Sequence, residues 1–448
     1  MPKQLVDPTR EQALKILRKT ETALSFPKLL MTSQEESATA RRARALVYQL
    51  VMGTLRYRAT LDWALDRKSS APVTELSSWI RNILRMGLYQ ILFLDRIPKS
   101  AAVDESVKLA KKYGHAGTAG LVNAVLRNSH REELLQAIED MPEDNPADLA
   151  VKYSHPQWMV ETLLADWGME QTIRILKNNN VIPPVTGRVN TILTERERLL
   201  AELQEQGVHV SALPLAVEAV EFAGDGSPQN SAAYEKGLFY LQDVSSMLAA
   251  HCIDAQPGQR VLDACAGPGG KATHMAALMR NEGEIYALDA HAHRVALIEE
   301  NARRLGARII QARRQDATED LTAAYGGVDR ALTDVPCSGL GVIRRRIDLK
   351  WRLRPQQVDE LARLQSAILE RAAECVRPGG LLVYCTCTIT RKENAGLVKQ
   401  FLQRHTLFRV APVAPAVPEK YVDDEGFAQI LPGDDNMDGF FIARLKRL

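Results

Sequence analysis

Two short stretches carry side chains capable of covalent chemistry. "ALTDVPCSGL" (331–340) sets Asp334 and Cys337 just past an apolar run, and "LLVYCTCT" (381–388) ends another in Cys385 and Cys387. Cysteine attacks as its thiolate, and a carboxylic acid can protonate or hydrogen-bond a ring nitrogen. Such a set suits substitution at C5 of a cytosine. Sulfur adds to C6, C5 becomes enamine-like, the acid relieves charge at N3, and a second thiol assists the later elimination. Residue types alone do not rank the two cysteines. The positive neighbourhood a thiolate needs could come from Lys271 or from Arg344, Arg345 and Arg346. Competing readings are weaker. Zinc wants four ligands, and neither pair has a second local Cys/His set. A Cys385–Cys387 disulfide would close a strained, very small loop. Alternation turns Cys385 and Cys387 to one side, with Cys385 deeper as a packing residue.

These groups need a scaffold, and from about residue 233 the chain alternates strand-like and helix-like segments. "RVLDAC", "GEIYALD", "ARIIQAR", "DRALTDV" and "GGLLVYC" read as strands, with a late pair near "FRVAPV" and "GFFIARL". Helices are expected at 272–281, 292–305 and 356–377. The pattern predicts a mostly parallel, doubly wound α/β sheet, which binds ligands outside its strands' carboxyl ends. "DACAGPGGK" (263–271) supplies a glycine turn there, with Gly267, Gly269 and Gly270. A Walker loop is excluded, because Cys265 stands where its first glycine belongs and Ala272 where Ser/Thr belongs. The dinucleotide pattern is excluded less firmly, since its looser form admits Ala272. Asp289, ending the second strand, can hold ribose hydroxyls. Asp316, after the third, can accept from an adenine amine. No hydride-accepting set accompanies them, so adenosine without a phosphate chain, as in S-adenosylmethionine, fits best.

The first 140 residues read as helix throughout. Asp7 and Pro8 start one helix, with Ala13, Ile16 and Leu17 on a common face, and the apolar period continues through Leu46, Leu50 and Leu61. This region holds 22 Lys/Arg against 15 Asp/Glu, the remainder 35 against 40. A basic helical bundle joined to a slightly acidic module suits a polyanion partner. Arg41, Arg42 and Arg44, beside Arg56 and Arg58, form the candidate phosphate patch. A Pro/Asp/Asn-rich boundary follows at 141–155, then a short helix from Pro156 to Trp167. A small strand–helix–strand unit comes next, its helix capped by Thr194. The expected division is 1–140, 141–232 and 233–448. In "GVIRRRIDLKWRLRP", Arg344, Arg345, Arg346 and Lys350 could clamp phosphates while Trp351 stacks on a base. The composition, 46% hydrophobic and 25% charged, is that of a soluble globular protein. No apolar run reaches 18 residues. Six cysteines bunched late, and an N-terminus without signal-peptide features, predict a cytoplasmic protein.

The motifs resemble the Nop2/Sun family of RNA cytosine-C5 methyltransferases, and within it the bacterial RsmB/Sun (Fmu) type, over nearly the full length. "RMGLYQILFLDRIPKSAAVDESVKLAKKYG" and "GLVNAVLRN" resemble its NusB-like helical domain. "HPQWMV", "IPPVTGRVN" and "GLFYLQDVSSMLAA" resemble its connecting region, which would be a small, RRM-like α/β domain. "DACAGPGGK", "DVPCSGLGVIRRRIDLKWR", "VYCTCT" and "LPGDDNMDGFFIARL" resemble its Rossmann-like catalytic domain. The resemblance implies that Cys265, Ala266, Gly267, Pro268, Gly269, Gly270 and Lys271, with Asp289, Arg294, Asp316 and Asp334, hold S-adenosylmethionine. It implies that Asp334 contacts cytosine N3, Cys387 is the nucleophile and Cys337 releases product, with Lys271 in the catalytic set. It also implies small-subunit ribosomal RNA as partner; the residues themselves lead us to expect no metal and no membrane, and a monomer without an obligate protein partner is expected. The rivals are another ribosomal or transfer-RNA cytosine, and a non-catalytic RNA-binding assembly factor. The family's usual residues are replaced here by Gly267, Gln315, Cys385 and Thr388, which removes no reacting group.

Overall fold

The computed structural model describes residues 6–22, 38–224 and 227–448. The chain forms two compact units, Met1–Asn180 with Arg346–Leu353, and Val181–Arg345 with Arg354–Leu448.

The first unit is helical, as its apolar period predicts. Asp7 accepts from the Thr9 amide at 2.8 Å and opens the Pro8–Thr22 helix, whose Ala13, Ile16 and Leu17 are buried. The Ser78–Phe93 helix buries residues around most of its circumference, as a helix at the centre of a bundle must. Its buried Arg85 is held by Asp62 through two bonds of 2.6 and 2.7 Å. The periodic stretch after Ala38 divides into Ala38–Arg56 and Arg58–Asp66. The expected boundary at 141–155 contains a further helix, Pro146–Lys152, capped by Asn145. The helix expected to stop at Trp167 does break there, at Gly168, whose φ of +70° and ψ of 178° are non-helical and favour glycine, and a second helical stretch runs on to Asn178.

In the second unit a small antiparallel sheet comprises β1 (Val185–Val189), β2 (His209–Ala212), β3 (Ala219–Ala223) and β4 (Phe239–Leu241), ordered β2-β3-β1-β4. The helices Arg196–Glu205 and Ala232–Glu235 complete a β-α-β-β-α-β ferredoxin-like path. Glu195, not Thr194, occupies the first helix's cap position. The sheet also takes a strand beyond residue 232, the expected limit of this region.

The larger sheet contains β5 (Arg260–Asp263), β6 (Glu284–Asp289), β7 (Ile310–Arg314), β8 (Val328–Asp334), β9 (Val376–Thr386), β10 (Phe408–Val410), β11 (Ala428–Ile430) and β12 (Phe440–Arg447). Its order is β10-β12-β9-β8-β5-β6-β7, with β11 on β12. Strands β5 to β9 pair in parallel, and β12 runs antiparallel to β9. The helices Gly270–Leu278, Ala292–Arg304 and Pro355–Cys375 fall close to their expected places. Residues 381–386 of β9 are all buried, which explains the unbroken apolar run. Strand order reverses around β5, which pairs with β6 on one side and β8 on the other. The crevice over such a reversal is where doubly wound sheets bind ligands. The glycine turn leaves β5 and the Asp-Val-Pro-Cys segment leaves β8, so both enter it. Among the described residues, no helix is long and apolar enough to cross a membrane.

Buried Asn190, just past β1, donates to the Gly237 and Leu305 carbonyls at 2.8 Å each. Asn190→Leu is expected to lose about 2–3 kcal/mol, because both carbonyls lose a donor. A urea melt with an unchanged slope measures this, and an unchanged midpoint would contradict it.

Candidate active site

The two thiols meet because their strands are neighbours in fixed register. β8 and β9 pair Asp334 with Cys385, so each chain leaves the sheet at the same level. The amide of Val335 reaches the Cys385 carbonyl at 3.3 Å, and that of Gly341 reaches the Cys387 carbonyl at 3.0 Å. This stitching sets Cys337 Sγ 3.3 Å from Cys387 Sγ, with both residues partly exposed. All six cysteines are free. Cys337 is pushed well above the usual thiol range by its bond to Cys387, reinforced by burial and by the charges of Cys387 and Glu393. Cys385 is fully buried, as a packing residue would be, and its thiol also lies 3.7 Å from Asp334 Oδ1.

Asp334 Oδ2 accepts from Lys271 Nζ at 2.6 Å. Burial opposes charge on Lys271, but Asp334 overrides it and holds the ammonium above the ordinary lysine range. Lys271 is therefore committed to a carboxylate, which weakens its expected role as the cation that activates a thiol. The residues suit a cationic adenosine ligand on three observations. Gly269, at φ +106°, turns the chain into the Gly270–Leu278 helix, and a side chain at Gly267 would strike the Asp289 carboxylate. Asp289 is buried at the end of β6, with Oδ1 accepting from the His291 amide at 2.9 Å and Oδ2 3.6 Å from exposed Arg294. Asp263 beneath the turn is fully buried, and neither carboxylate oxygen has a hydrogen-bond partner. Burial, then the charge of Asp334, pushes Asp263 up to about 7. The charges of Asp263, Asp334 and Asp289, after burial, also push the Cys265 thiol up. A turn ringed by carboxylates disfavours phosphates and suits a sulfonium with an ammonium group. Asp316 is exposed, and its Oδ1 accepts from the Thr318 amide and hydroxyl at 2.9 and 2.8 Å, which lowers its pKa.

The basic segment after β8 departs from expectation. Arg344 is buried, giving Nε to Asp438 at 2.6 Å. Arg345 binds the other Asp438 oxygen, Asp243 at 2.8 Å and the Pro184 carbonyl at 2.9 Å. Neither is a free phosphate clamp, because carboxylates of the same unit consume their charge. Lys350 and Trp351 belong to the helical unit. Lys350 is fully buried and donates to Asn180 Oδ1 at 2.7 Å and the Ser154 carbonyl at 3.1 Å. Trp351 donates to the Leu55 carbonyl at 2.7 Å, with the Arg58 guanidinium 5.0 Å from its ring centre. Those internal partners correct the expectation of a phosphate-binding lysine and a base-stacking tryptophan. Arg346 and Arg42 are exposed and Arg44 is half-buried. Arg41 sits on the helix of Arg42, its side chain outside the described residues.

Glu393 is a functional candidate that sequence reading missed. It is fully buried behind the thiols and accepts from Ser338, Gln365 and Thr390. In "TRKEN" a glutamate reads as surface, and only its position just after the second cysteine strand hints otherwise. Among the described residues one His/Glu group has metal-ligand spacing: Glu218, His251 and His274, with donor atoms within 4.8 Å. Burial first, then the charge of Arg188, pushes His274 down to about 3, and a neighbouring guanidinium works against a bound dication.

Comparison with known proteins adds three findings. Residues 250–446 match the family model 16S rRNA methyltransferase RsmB/F, 7–131 match the NusB family, and 155–227 match the RsmF/B-like ferredoxin-like domain. The chain is 38% identical to the probable ribosomal RNA small subunit methyltransferase B of Bacillus subtilis, over 98% of both chains. It is 34% identical to ribosomal RNA small subunit methyltransferase B of Escherichia coli, over 90% of each. Among solved structures it resembles PH0851, with a TM-score of 0.81 and 26% identity over 99% of this chain and 100% of that one. It also resembles a methyltransferase homolog protein from Pyrococcus horikoshii, with a TM-score of 0.59 and 27% identity over 68% of this chain and 99% of that one.

The buried carboxyl under the turn makes stability pH-dependent. Folded Asp263 keeps its proton up to about 7, whereas the unfolded chain releases it near 3.8. Wild-type stability therefore falls as pH rises between those values and stays reduced above them. Asp263→Asn cannot ionise, so its melting temperature relative to wild type should climb between about pH 4 and about pH 8. A difference independent of pH, in cofactor-free protein, would contradict this.

Proposed function

The chain belongs to the RsmB family of small-subunit ribosomal RNA methyltransferases, with a NusB-like N-terminal region, and on that premise we propose that it methylates cytosine 967 of 16S rRNA through a covalent adduct on Cys387. It is an S-adenosylmethionine-dependent RNA cytosine-C5 methyltransferase. The observation that carries the covalent reading is the 3.3 Å approach of two free thiols at the exits of β8 and β9, beside Asp334 and the glycine turn.

The segment Cys265–Lys271, Asp289, Arg294 and Asp316 would hold the adenosine end, with the carboxylates around the turn facing its positive charge. Bound there, S-adenosylmethionine supplies an electrophilic methyl group to cytosine C5. The Cys387 thiolate forms the S–C6 bond and the C5–C6 π pair moves toward C5. As sulfur adds, N3 takes a proton from water, and the Asp334 carboxylate, held by Lys271, accepts the N3–H hydrogen bond and stabilises the protonated ring. After transfer the C5 proton leaves to water and its electron pair forms the C5–C6 double bond as the C6–S bond breaks, the C6–S pair returning to sulfur; the Cys337 S–H hydrogen-bonds to the departing Cys387 thiolate. Such a base must be outside any helix. Residues 1–140 would hold the ribosomal RNA, with Arg41, Arg42, Arg44 and Arg346 meeting phosphates; 141–232 would connect them to the catalytic region 233–448.

Cys387→Ala should lose methyl transfer by more than about 10³-fold while still binding S-adenosylmethionine. Substantial turnover in that variant overturns the assignment. Cys337→Ala should accumulate an RNA adduct that survives denaturing electrophoresis. Normal release of methylated product would remove Cys337 from the elimination step.

A further inference from the structure

The residues immediately following the two cysteines are joined to one buried carboxylate. Ser338 follows Cys337 and Thr388 follows Cys387, and their hydroxyls lie 2.7 Å apart. Glu393 takes the Ser338 amide at 2.9 Å on Oε1 and the Ser338 hydroxyl at 2.5 Å on Oε2. The Thr388 hydroxyl reaches Oε2 at 3.4 Å and that of Thr390 at 2.8 Å, while Gln365 Nε2 reaches Oε1 at 2.9 Å. The main chain of Glu393 is held too, its carbonyl accepting from the Tyr384 hydroxyl at 2.6 Å. A fully buried carboxylate held by these neutral donors is retained at a cost in desolvation, offset by the bonds to both oxygens.

We propose that Glu393 is a positioning residue for the two-thiol step, clamping the Cys337 and Cys387 exits together and setting a buried carboxylate beside Cys337. The bonds act on the amide and hydroxyl of Ser338 and on the hydroxyl of Thr388, one residue beyond each sulfur, so the clamp fixes the separation of the sulfurs. Thr388 fits this role, because the clamp needs its hydroxyl and is indifferent to its methyl. The groups facing Cys337 are Cys387 and Tyr384 from β9 and its exit, and Glu393 from the segment beyond. The bond to Cys387, burial and the Cys387 and Glu393 charges favour the thiol form of Cys337, and the backbone bond at Gly339 works against it.

The inference rests on the proposed roles of Cys387 and Cys337. Glu393→Gln keeps the shape and removes the charge, whereas Ser338→Ala removes one hydroxyl of the clamp. Full-length enzyme is assayed for methyl transfer to small-subunit ribosomal RNA, for adduct on denaturing gels, and for iodoacetamide alkylation of each cysteine against pH, read by peptide mass. Glu393→Gln is expected to lower kcat about 10- to 100-fold with an unchanged KM for S-adenosylmethionine, and to accumulate adduct. Its Cys337 should alkylate at lower pH than in wild type, eroding the preference for Cys387. Wild-type kcat and alkylation profiles in a folded Glu393→Gln protein overturn the inference. If that variant does not fold, Ser338→Ala decides: a lowered kcat with adduct supports the clamp, and wild-type behaviour overturns it. Turnover by Cys387→Ala would instead sink the underlying reading, which separates the two failures.

Discussion

The parallel register between β8 and β9 is the constraint on which the site depends. A strand's side chains alternate, so a slip of one residue would turn Asp334 away from Cys385 and carry the two exits out of step. Both strands are apolar because they are buried within the sheet. The same burial that forces an unbroken run such as "LLVYC" also fixes the height at which the chain emerges. Chemistry then needs only the next few residues on each exit. β12, antiparallel to β9, adds a second restraint, since the Gly439 amide bonds the Gly341 carbonyl at 2.8 Å and holds the loop that carries Cys337.

Electrostatics divides the crevice into two neighbourhoods. Around the glycine turn, Asp289 and Asp334 outnumber buried Lys271, and Asp263 beneath them adds a third carboxyl that a cation can ionise, a balance that suits a positively charged ligand. Behind the thiols lies a carboxylate surrounded by hydroxyl and amide donors. Lys271 joins neither to the cysteines. Its ion pair with Asp334 couples the turn to the position expected to face the pyrimidine.

Much of this was legible in the residues. Strand and helix periods in the last 200 or so residues gave the doubly wound sheet, and glycine, acid and cysteine positions fell at its carboxyl edge as such sheets require. What escaped has physical reasons. β4 is three residues long, too short for alternation to register. Arg344 and Arg345 read as an exposed basic run because their partner Asp438 lies more than 90 residues away, and only folding reveals the pairing. Lys350 looked like a phosphate contact for the same reason, its acceptors Ser154 and Asn180 being distant in sequence. Glu393 was invisible because a charged residue between Lys392 and Asn394 has the pattern of a solvated turn.

The most direct test of the central claim uses small-subunit ribosomal RNA with 5-fluorocytidine in place of the target cytidine. Fluorine at C5 cannot leave as a proton does, so an enzyme that attacks C6 stays bonded to its RNA after methyl transfer. With S-adenosylmethionine present, digestion and peptide mass mapping should find the adduct on the peptide containing Cys387 and none on that containing Cys337. An adduct on Cys337, or none at all under conditions where ordinary RNA is methylated, would contradict the account.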